Sequence, residues 1–498
     1  IVSIALSLKA IAHKPELLER YGAKDRLLFS EADYRDLGNC LFVKEHFPSQ
    51  SPELDMLFAL FMMVWRDVGS LGNIISSILD MSIRQPEQII EEIYSTEVTD
   101  EDLANAWVDE YGAYYSADRK KLLRGPDNYR ISDYRILEGA LVIGDCAFNL
   151  WHHEYGLQYE DLQSIVIPNS VMQIGSCAFK GCSSLYSIVI PSSVTLIGDR
   201  AFEDCRKLHS IVIPNSVTKI GGGAFCDCGR LQSIVIPDSV TQIGDGAFRY
   251  CTGLKSIVIP NSVTQIGVHA FSGCVNMQSI VIPNSVTQIG DSAFFDCYNL
   301  ESVVISDSVT QIGSCAFRCC NSLHSIVIPS SVKQIGNKAF EDCRELHSIV
   351  IPDSVTQIGD SAFRCCSSLE SIVIPDSVIQ IGDLAFGFCS SFKSIDIPSS
   401  VTQIRDYALC HCIDLQSIVI PNCVTQIGDS AFENCWGLES IVIPSSVTQI
   451  GDKAFKDCRK LHSFVIPDSV TQIGDKAFEN CRKLHSIVIT NSVTQIGD

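Results

Sequence analysis

The sequence predicts an α+β repeat protein, in which a solenoid with a parallel sheet on one face follows a small helical N-terminal domain. One segment of 23 residues, SIVIPDSVTQIGDGAFRYCTGLK at 233–255, recurs with few changes to the end of the chain. A single unit of this size buries too little apolar surface to offset the entropy lost on ordering it, so the units must stack on one another. Before residue 130 this period is absent, and apolar residues follow helical spacing instead.

The repeat keeps a constant length through the array. A constant length indicates that insertions are not tolerated within the stack, as expected where each coil contacts only its two neighbours. We expect 14 full repeats and a truncated one over residues 164–498. The first inward-facing residue recurs every 23 residues, at Ile165, Ile188, Ile211, Ile234, Ile257, Ile280, Val303, Ile326, Ile349, Ile372, Ile395, Ile418, Ile441, Phe464 and Ile487.

Each unit opens with the residues of a short parallel strand. In the run Ser-Ile-Val-Ile, alternate side chains must face opposite sides, so the two Ile side chains point inward while Ser and Val point outward. Proline follows in nearly every unit, for example at Pro168 and Pro214. Its fixed φ and missing N–H end the strand at that position, and the chain must then turn.

The second half of each unit predicts two corners. Gly244 follows an Ile, and glycine permits a backbone bend that other residues resist. Asp245 then resembles the N-cap of about one helical turn, which would place Ala247, Phe248 and Cys251 on a single inward face.

Three regions are predicted: a helical N-terminal domain or cap at 1–131, a degenerate first repeat with an insertion at 132–163, and the solenoid at 164–498. Helical patterns such as SPELDMLFALFMMVW and TDEDLANAWVDEYG mark the first region. Thr99 with Asp102 resembles a capping box that uses Asp in place of Glu. No phosphate-binding loop, nucleophile elbow, H-E-x-x-H or paired C-x-x-C motif occurs in this region.

The insertion in the first repeat, roughly WHHEYGLQ, contains three adjacent residues of metal-binding type, His152, His153 and Glu154. Adjacent residues of a strand or loop point in different directions, so a polar loop is favoured over a metal site. We therefore expect neither a metal nor a cofactor.

The repeat resembles a known family. In LYSIVIPSSV, Leu185, Ile188 and Ile190 match the apolar triplet of the leucine-rich repeat frame L-x-x-L-x-L-x-x-N/C-x-L, and Ser193 stands at its Asn/Cys position. Cys423 occupies that position in another unit. The remainder, IGxxAFxxCxxL, is similar to the BspA-type leucine-rich repeats of bacteria and protozoa. The resemblance implies a curved leucine-rich-repeat solenoid and often attachment at the cell surface, and it supplies no catalytic residues.

The charge balance and the apolar runs exclude several classes of partner. The formal net charge is −21, which opposes binding to nucleic acid and to anionic membrane surfaces. The longest apolar run, MLFALFMMVW at 56–65, is too short to span a membrane and is interpreted as a buried helix. The first 20 residues lack the basic start of a secretory signal. Together with the many cysteines this favours the cytoplasm, whereas the resemblance favours the cell surface, so localisation stays open.

Fourteen of the 23 cysteines form one column along the repeats, from Cys182 and Cys205 to Cys481. A disulfide array would need neighbouring coils, about 5 Å apart, to aim their Cβ atoms at each other, yet equivalent residues of a stack project in parallel. A metal ladder would need closed tetrahedral groups, which a single column does not provide. We therefore predict free thiols packed between columns of Phe and Leu, which suits a reducing compartment.

A histidine column offers a second candidate for metal binding or pH sensing. Gln, Glu, Lys and Tyr fill the same column in other units, which indicates a solvated position without a special role. The histidines of this column are His209, His324, His347, His462 and His485.

The unit at 394–416 departs most from the consensus. Asp396 replaces the outward Val, Arg405 the Gly and Leu409 the Phe, while Phe392 replaces the Leu just before this unit. A large residue gained beside one lost indicates compensating repacking. Alternatively, Asp396 marks a local ligand site on the strand face.

These features predict a noncatalytic protein–protein interaction scaffold that is not an enzyme, and the resemblance implies an adhesin-like role. The partner would be a protein or another extended macromolecule, because near-identical coils suit a repetitive target. Two alternatives remain open: an intracellular scaffold with the N-terminal region as its effector module, and an unrecognised enzyme in that region. The predicted binding residues on the outward strand face are Ser233, Val235, Ser256, Val258, Ser279, Val281 and Asp396.

Overall fold

A computed structural model describes residues 95–126, 130–149, 159, 161–485, 487–488 and 491–498. The chain divides into two compact units, Ile1–Glu92 and Ile93–Asp498. All described residues belong to the second unit, which is a solenoid of about 16 turns with parallel sheets. The predicted helical segments before residue 93, the run at 56–65 among them, and the insertion residues His152, His153 and Glu154 lie outside the described residues.

The first strand column contains the Ser-Ile-Val segments, and the structure confirms the predicted parallel strand. The strands pair in register, so that Ser210 lies beside Ser233 and Ile211 beside Ile234. Isolated bridges such as Val235–Val258 continue the column where no strand is assigned. The strands are β4 Asp133–Arg135, β6 Ser164–Val166, β8 Ser187–Val189, β10 Ser210–Val212, β12 Ser233–Val235, β15 Ser279–Ile282, β17 Ser302–Ile305, β19 Ser325–Val327, β21 Ser348–Val350, β24 Ser394–Asp396, β26 Ser417–Val419, β28 Ser440–Val442, β30 Phe464–Val465 and β32 Ile487–Val488.

A second strand column precedes the glycine of each unit, where the sequence predicted only a corner. Its Ile side chains are buried except at Ile496 in the last strand, while its Gln side chains face outward, as at Gln242 beside the buried Ile243. The strands are β5 Val142–Ile143, β7 Gln173–Ile174, β9 Leu196–Ile197, β11 Lys219–Ile220, β13 Gln242–Ile243, β14 Gln265–Ile266, β16 Gln288–Ile289, β18 Gln311–Ile312, β20 Gln334–Ile335, β22 Gln357–Ile358, β23 Gln380–Ile381, β25 Gln403–Ile404, β27 Gln426–Ile427, β29 Gln449–Ile450, β31 Gln472–Ile473 and β33 Gln495–Ile496.

The glycine of each unit is required by the close approach of neighbouring coils. A Cβ added to Gly221 would lie 2.6 Å from the backbone carbon of Gly198, and one added to Gly382 would lie 2.5 Å from the backbone nitrogen of Asp360. Arg405 occupies this position in its own coil. The 14-stranded sheet of the second column ends at β23, and a separate 5-stranded sheet begins at β25, immediately before Arg405.

The expectation of a helical N-terminal domain is wrong for its described residues, 95–126 and 130–131, which contain one short helix and three strands. In that part of the chain, helix is limited to α1 Asp100–Ala104, whose capping box between Thr99 and Asp102 is present as predicted. Three strands follow, β1 Trp107–Val108, β2 Tyr114–Tyr115 and β3 Lys121–Arg124.

These three strands cap the open edge of the second strand column. Strands β1, β2 and β3 pair antiparallel, and β3 then pairs in parallel with β5 of the first coil. An open sheet edge leaves backbone groups unpaired, and aromatic residues such as Trp107 and Tyr114 are typical of strands. Pairing with the edge therefore outweighs the helical spacing of the apolar residues.

The helical turn predicted after Asp245 is also wrong, because this corner of the coil is built of successive turns. The N–H of Ala247 donates to Gly244 O of its own coil at 3.2 Å, whereas the N–H of Phe248 donates to Ala270 O of the next coil at 2.8 Å. Two residues of this corner, Gly246 and Tyr250, have φ of 61° and 58°. Alternation of bonds within and between coils replaces the i→i−4 pattern that a helix needs.

The aspartate predicted as an N-cap joins two coils instead. Asp245 Oδ1 accepts a hydrogen bond from the backbone N–H of Val268 in the next coil, at 2.8 Å. The same bond recurs between Asp406 and Asp429 at 2.8 Å. Its Oδ1 therefore helps to fix the register of the stack.

The core consists of columns of identical residues. The Phe column stacks ring on ring from Phe148 to Phe386, with centroid distances such as 5.1 Å between Phe148 and Phe179. Leu409 interrupts this stack, which resumes at Phe432. Close packing of this kind gives each coil an apolar partner on both sides.

Candidate functional site

The outward face of the first strand column combines exposed valine with serine. Val189 is 78% exposed and Val373 is 79% exposed, whereas the inward Ile188 of the same coil as Val189 is 5% exposed. A long column of exposed β-branched side chains is unusual on the surface of a protein without a partner. We define the strand face as the outward Ser and Val residues of the first strand column.

The structure places most of the predicted binding residues together on this face. Ser233, Val235, Ser256 and Val258 are half-buried, while Ser279 is exposed. Bridges between Val235 and Val258 and between Ser256 and Ser279 show that these residues form two adjacent rows across consecutive coils.

Two further predicted residues occupy the same face. Val281 is 54% exposed and continues the Val row beyond Val258. Asp396 is exposed in β24 beside Val419 of the next coil, several coils away from the others. The predicted set therefore comprises one cluster of six residues and one separate carboxylate.

The coil that contains Asp396 shows compensating repacking in its core. The Phe392 ring lies 5.8 Å from the Phe386 ring, next to the position where Leu409 replaces a phenylalanine. Both substituted side chains are buried. Arg405 Nε donates to Asp383 Oδ1 at 2.8 Å, so the guanidinium lies outside the core. Hydrogen bonding to this carboxylate raises the pKa of Arg405.

The histidine column beside the strand face is solvated. The rings of His324 and His347 stack with centroids 6.0 Å apart, and His324 Nε2 lies 3.4 Å from Glu345 Oε2. Both side chains of the His324–Glu345 pair are more than half exposed. Within the described ranges, no group of three or more His, Cys, Asp or Glu side chains is arranged to hold a metal ion.

The second strand column forms another outward surface, for which the sequence predicts no role. Its Gln side chains bond across coils, as from Gln334 Nε2 to Gln357 Oε1 at 2.9 Å. A groove of about 630 Å³ runs along these coils, between the Gln column and the glycines that follow it. The regular recurrence of Gln every 23 residues was the available signal for this surface.

The serine at the Asn/Cys position of the repeat frame has a clear structural role. Ser193 Oγ donates to Val171 O of the preceding coil at 2.6 Å. Cys423, at the equivalent position, donates from Sγ to Val401 O at 3.1 Å. Both side chains satisfy a carbonyl at the turn after the first strand, as the repeat frame requires.

A sequence profile described as "BspA type Leucine rich repeat region (6 copies)" matches residues 153–278, 264–393 and 380–498. These ranges together span well over half of the chain. The chain belongs to the BspA-type leucine-rich repeat family. The resemblance inferred from the sequence is thereby confirmed.

Solved structures of leucine-rich repeat proteins are similar to this chain. One, from Bacteroides ovatus, is 29% identical, with a TM-score of 0.57, and the match covers 83% of this chain and 91% of that chain. A leucine rich cell surface protein from Faecalibacterium prausnitzii is 27% identical, with a TM-score of 0.43, and the match covers 78% and 96% of the two chains. A comparison with curated proteins found no match.

The cysteine column of this BspA-type protein lies inside the solenoid. Cys205 is fully buried, and its Sγ donates to Phe179 O at 3.2 Å; Cys228 and Cys251 make the same contact with the Phe of the coil before. Burial raises the pKa of these thiols well above the ordinary value. Each thiol therefore stays protonated and serves as a small apolar side chain.

Proposed function

We propose that this chain is a noncatalytic binding protein of the adhesin type, whose strand face captures a protein or another extended macromolecule. Leucine-rich repeat proteins typically mediate protein–protein interaction. The observation that carries the proposal is the exposed Val column, in which Val327, Val350 and Val373 of consecutive coils are 68%, 63% and 79% exposed.

The physical argument rests on what these side chains do for the folded chain. The inward Ile side chains provide the core, so an outward Val adds little to the stability of its own coil. Burying a Val of this exposure against a partner contributes up to about 1.5–3 kcal/mol to the free energy of binding. A partner that covers several coils buries one such side chain on each coil. The flanking Ser hydroxyls supply hydrogen-bond donors and acceptors at the spacing of the coils.

The charge of the chain narrows the class of partner. A net charge of −21 disfavours nucleic acid and anionic membranes. In the part of the chain that the structure describes, no helix is both long and apolar enough to span a bilayer. A protein partner fits these properties best.

The intracellular scaffold is kept as a second candidate because of one observation. The chain contains 23 cysteines, most of the described ones are buried, and we predict that they are free thiols. Unpaired cysteine at this abundance is typical of reducing compartments. The extracellular and intracellular forms of the proposal share the strand face and differ in the partner.

The test substitutes one residue in each of three consecutive coils, on the strand face in one variant and in the Gln column in the other. The first variant carries Val327→Lys, Val350→Lys and Val373→Lys on the strand face. The matched control carries lysine at the Gln residues of the same coils, namely Gln334, Gln357 and Gln380. Both variants add the same charge, so a difference between them reports the surface and not the charge.

Binding is measured by biolayer interferometry on immobilised collagen, laminin and fibronectin, and on proteins captured from cytosol by the parent chain. We expect the strand-face variant to lose at least tenfold in affinity while the control retains it, with unchanged circular dichroism for both. Equal loss in both variants, or loss in the control alone, would overturn the proposed site. Binding to cytosolic proteins but to none of the matrix proteins would overturn the adhesin form of the proposal.

A further inference from the structure

Two cysteines outside the buried column lie on adjacent coils at one corner of the solenoid. Cys146 and Cys177 each occupy the second residue after the glycine of their coil, with φ of 57° and 55°. Strands β5 and β7, which lead into this corner, pair in register, with Ile143 beside Ile174. The two cysteines are therefore equivalent residues of neighbouring coils.

The backbone geometry holds the two residues close together. The N–H of Cys146 donates to the carbonyl of Ser176, the residue immediately before Cys177, at 2.8 Å. The rings of Phe148 and Phe179, two residues further along each coil, stack at 5.1 Å. A coil spacing of this size falls within the Cα separation of about 4.4–6.8 Å that a disulfide requires.

The side chains also meet, unlike those of the buried cysteine column. The Cys146 and Cys177 side chains lie close enough for each thiol to shift the pKa of the other. In the buried column the Sγ atom of Cys205, for instance, is held by a backbone carbonyl instead. Both Cys146 and Cys177 are half-exposed, so small reagents reach them from solvent.

The surroundings of the pair shift the pKa values of the two thiols in opposite directions. The interaction with Cys146 lowers the pKa of Cys177 to about 7; the charges of Lys180 and Arg200 act in the same direction, whereas burial and Glu203 oppose it. The interaction with Cys177, together with burial, raises the pKa of Cys146. Cys177 is therefore the thiol of the pair that ionises more readily, and a readily ionised thiol beside a second one is the arrangement found in redox-active cysteine pairs.

We propose that Cys177 and Cys146 form a redox-reactive dithiol that takes hydroperoxides as its oxidant. The Cys177 thiolate attacks the distal oxygen of the peroxide; the S–O bond forms, the O–O bond breaks, and hydroxide or alkoxide leaves. The Cys146 thiol then attacks the sulfenic sulfur of Cys177, and its proton leaves with the hydroxyl group as water. The product is a disulfide that links two adjacent coils next to the N-terminal cap.

One other cysteine provides an internal control in the same column. Cys315 occupies the equivalent corner position and is half-exposed, but its neighbours in the adjacent coils are Ser292 and Lys338. Burial raises the pKa of Cys315. It therefore shares the backbone conformation and the exposure of Cys177 but has no partner thiol.

The experiment oxidises the reduced full chain with hydrogen peroxide at pH 7 and maps cysteines by mass spectrometry. The tryptic peptide 136–180 contains Cys146 and Cys177 and no other cysteine, so their disulfide appears as the loss of two hydrogens from one peptide. Cleavage after glutamate, at Glu154 and Glu160, then separates the two halves unless the disulfide holds them together.

We expect the parent and the Cys315→Ser variant to form this disulfide at the same rate. In Cys146→Ser, dimedone should trap a sulfenic acid on Cys177 at least about tenfold faster than on Cys315, because only a thiolate reacts readily. In Cys177→Ser, Cys146 should stay reduced. Modification of Cys177 no faster than Cys315, or a disulfide absent from the folded parent, would overturn the proposal. Because strand-face binding is not part of the readout, its loss would leave this result unchanged.

Discussion

Arg364 Nη1 lies 2.7 Å from Glu341 Oε1, across the contact between two neighbouring coils. On the other side of the same carboxylate, Arg318 Nε lies 2.6 Å from Oε2, so three successive coils share one ion-pair triad. Glu341 is 3% exposed. Among the many nearly identical contacts of this solenoid, the triad distinguishes these coils from their neighbours and so opposes a slip by one repeat.

The triad predicts a loss of stability when its central carboxylate is removed. Glu341→Ala leaves the guanidinium groups of Arg318 and Arg364 without their carboxylate. Breaking a fully buried pair in this way typically costs about 3–5 kcal/mol, and we expect a smaller cost here because both arginine side chains are 33% exposed. We expect a lower unfolding midpoint in urea and on heating. The control is Glu370→Ala, whose partner Lys393 lies 2.6 Å away at a largely exposed site, and where little change in the midpoint is expected because water screens the pair. Equal shifts for both variants would contradict this interpretation.

The close approach of coils at the glycine column predicts opposite effects for two substitutions. Gly221→Ala would place a Cβ 2.6 Å from the backbone of the preceding coil, which must shift, at a typical cost of about 1–3 kcal/mol. Arg405→Gly should instead stabilise the chain, because it allows β23 and β25 to pair and sacrifices only a half-exposed ion pair. Thermal melting measures both changes, and a lower midpoint for Arg405→Gly would contradict the explanation of the break.

The sequence was sufficient for the period, the first strand and the inward columns, because each is visible in a single unit. The alternation in Ser-Ile-Val-Ile predicts which side chains are buried, and in the structure Ile188 is buried while Val189 is exposed. The corner after Asp245 could not be predicted in the same way. Its spacing of Ala, Phe and Cys fits a helix, but half of its backbone bonds go to the next coil, which local spacing does not report.

Three other features could not be seen in the pattern of a single unit. The second strand column has only two residues per coil, such as Gln242 and Ile243, too few to show alternation. The pair of Cys146 and Cys177 was hidden because the insertion between them breaks the 23-residue spacing. The first three strands after α1 were missed because sheet-edge pairing, not local spacing, decides their structure.

Repeat stacking predicts how the chain responds to deletions. Removing residues 233–278, two whole units, should leave a folded and shorter solenoid, because Ile211 would then be followed one unit later by Ile280 in the same register. Removing residues 233–243 alone should abolish folding of the adjoining coils, because the strands of one coil would then lie beside the corners of the next and could not pair. Circular dichroism and melting compare the two deletions. Equal disruption by both would show that the coils do not stack independently.

The buried cysteine column predicts loss of stability at alkaline pH. Burial raises the pKa of Cys251 and Cys274 well above the ordinary value of about 8.5. Above that pH the thiols of the unfolded chain lose protons that the folded chain keeps, so stability falls as pH rises, by about 1.4 kcal/mol per pH unit for each such thiol. We expect the melting temperature to fall between pH 8.5 and 10.5.

Two variants check the origin of this pH dependence. Cys274→Ala removes one buried thiol and should make the fall less steep, although packing loss lowers the melting temperature at every pH. Cys423→Ser, at a position where sibling coils carry Ser, controls for removal of a thiol outside the column. If Cys274→Ala leaves the fall of melting temperature with pH unchanged, the pH dependence comes from other groups. Alkylation of the denatured chain without reductant should label the column completely, and several unlabelled pairs would contradict free thiols there.

Asp396 predicts where along the strand face the partner lies. It is the one carboxylate in an outward column of valines, which continues at Val419 and Val442 with 69% and 79% exposure. A partner that binds by apolar contact must desolvate this carboxylate, which costs free energy unless the partner supplies a cation or a hydrogen bond. Asp396→Val should therefore strengthen binding if the contact is apolar, and weaken it severalfold if the partner pairs with the carboxylate.

Lysine substitutions at two separate sets of valines show which part of the strand face the partner contacts. Lysine at Val235, Val258 and Val281 alters the predicted cluster, whereas lysine at Val419 and Val442 alters the coils next to Asp396. Because the second set is more exposed than the half-buried Val235 and Val258, it offers more apolar surface per coil, and we expect its loss to weaken binding more. Interferometry on one captured partner, with all variants folded by circular dichroism, measures the order. If Asp396→Val changes nothing and only the first set weakens binding, the contact lies on the coils between Ser233 and Val281 alone.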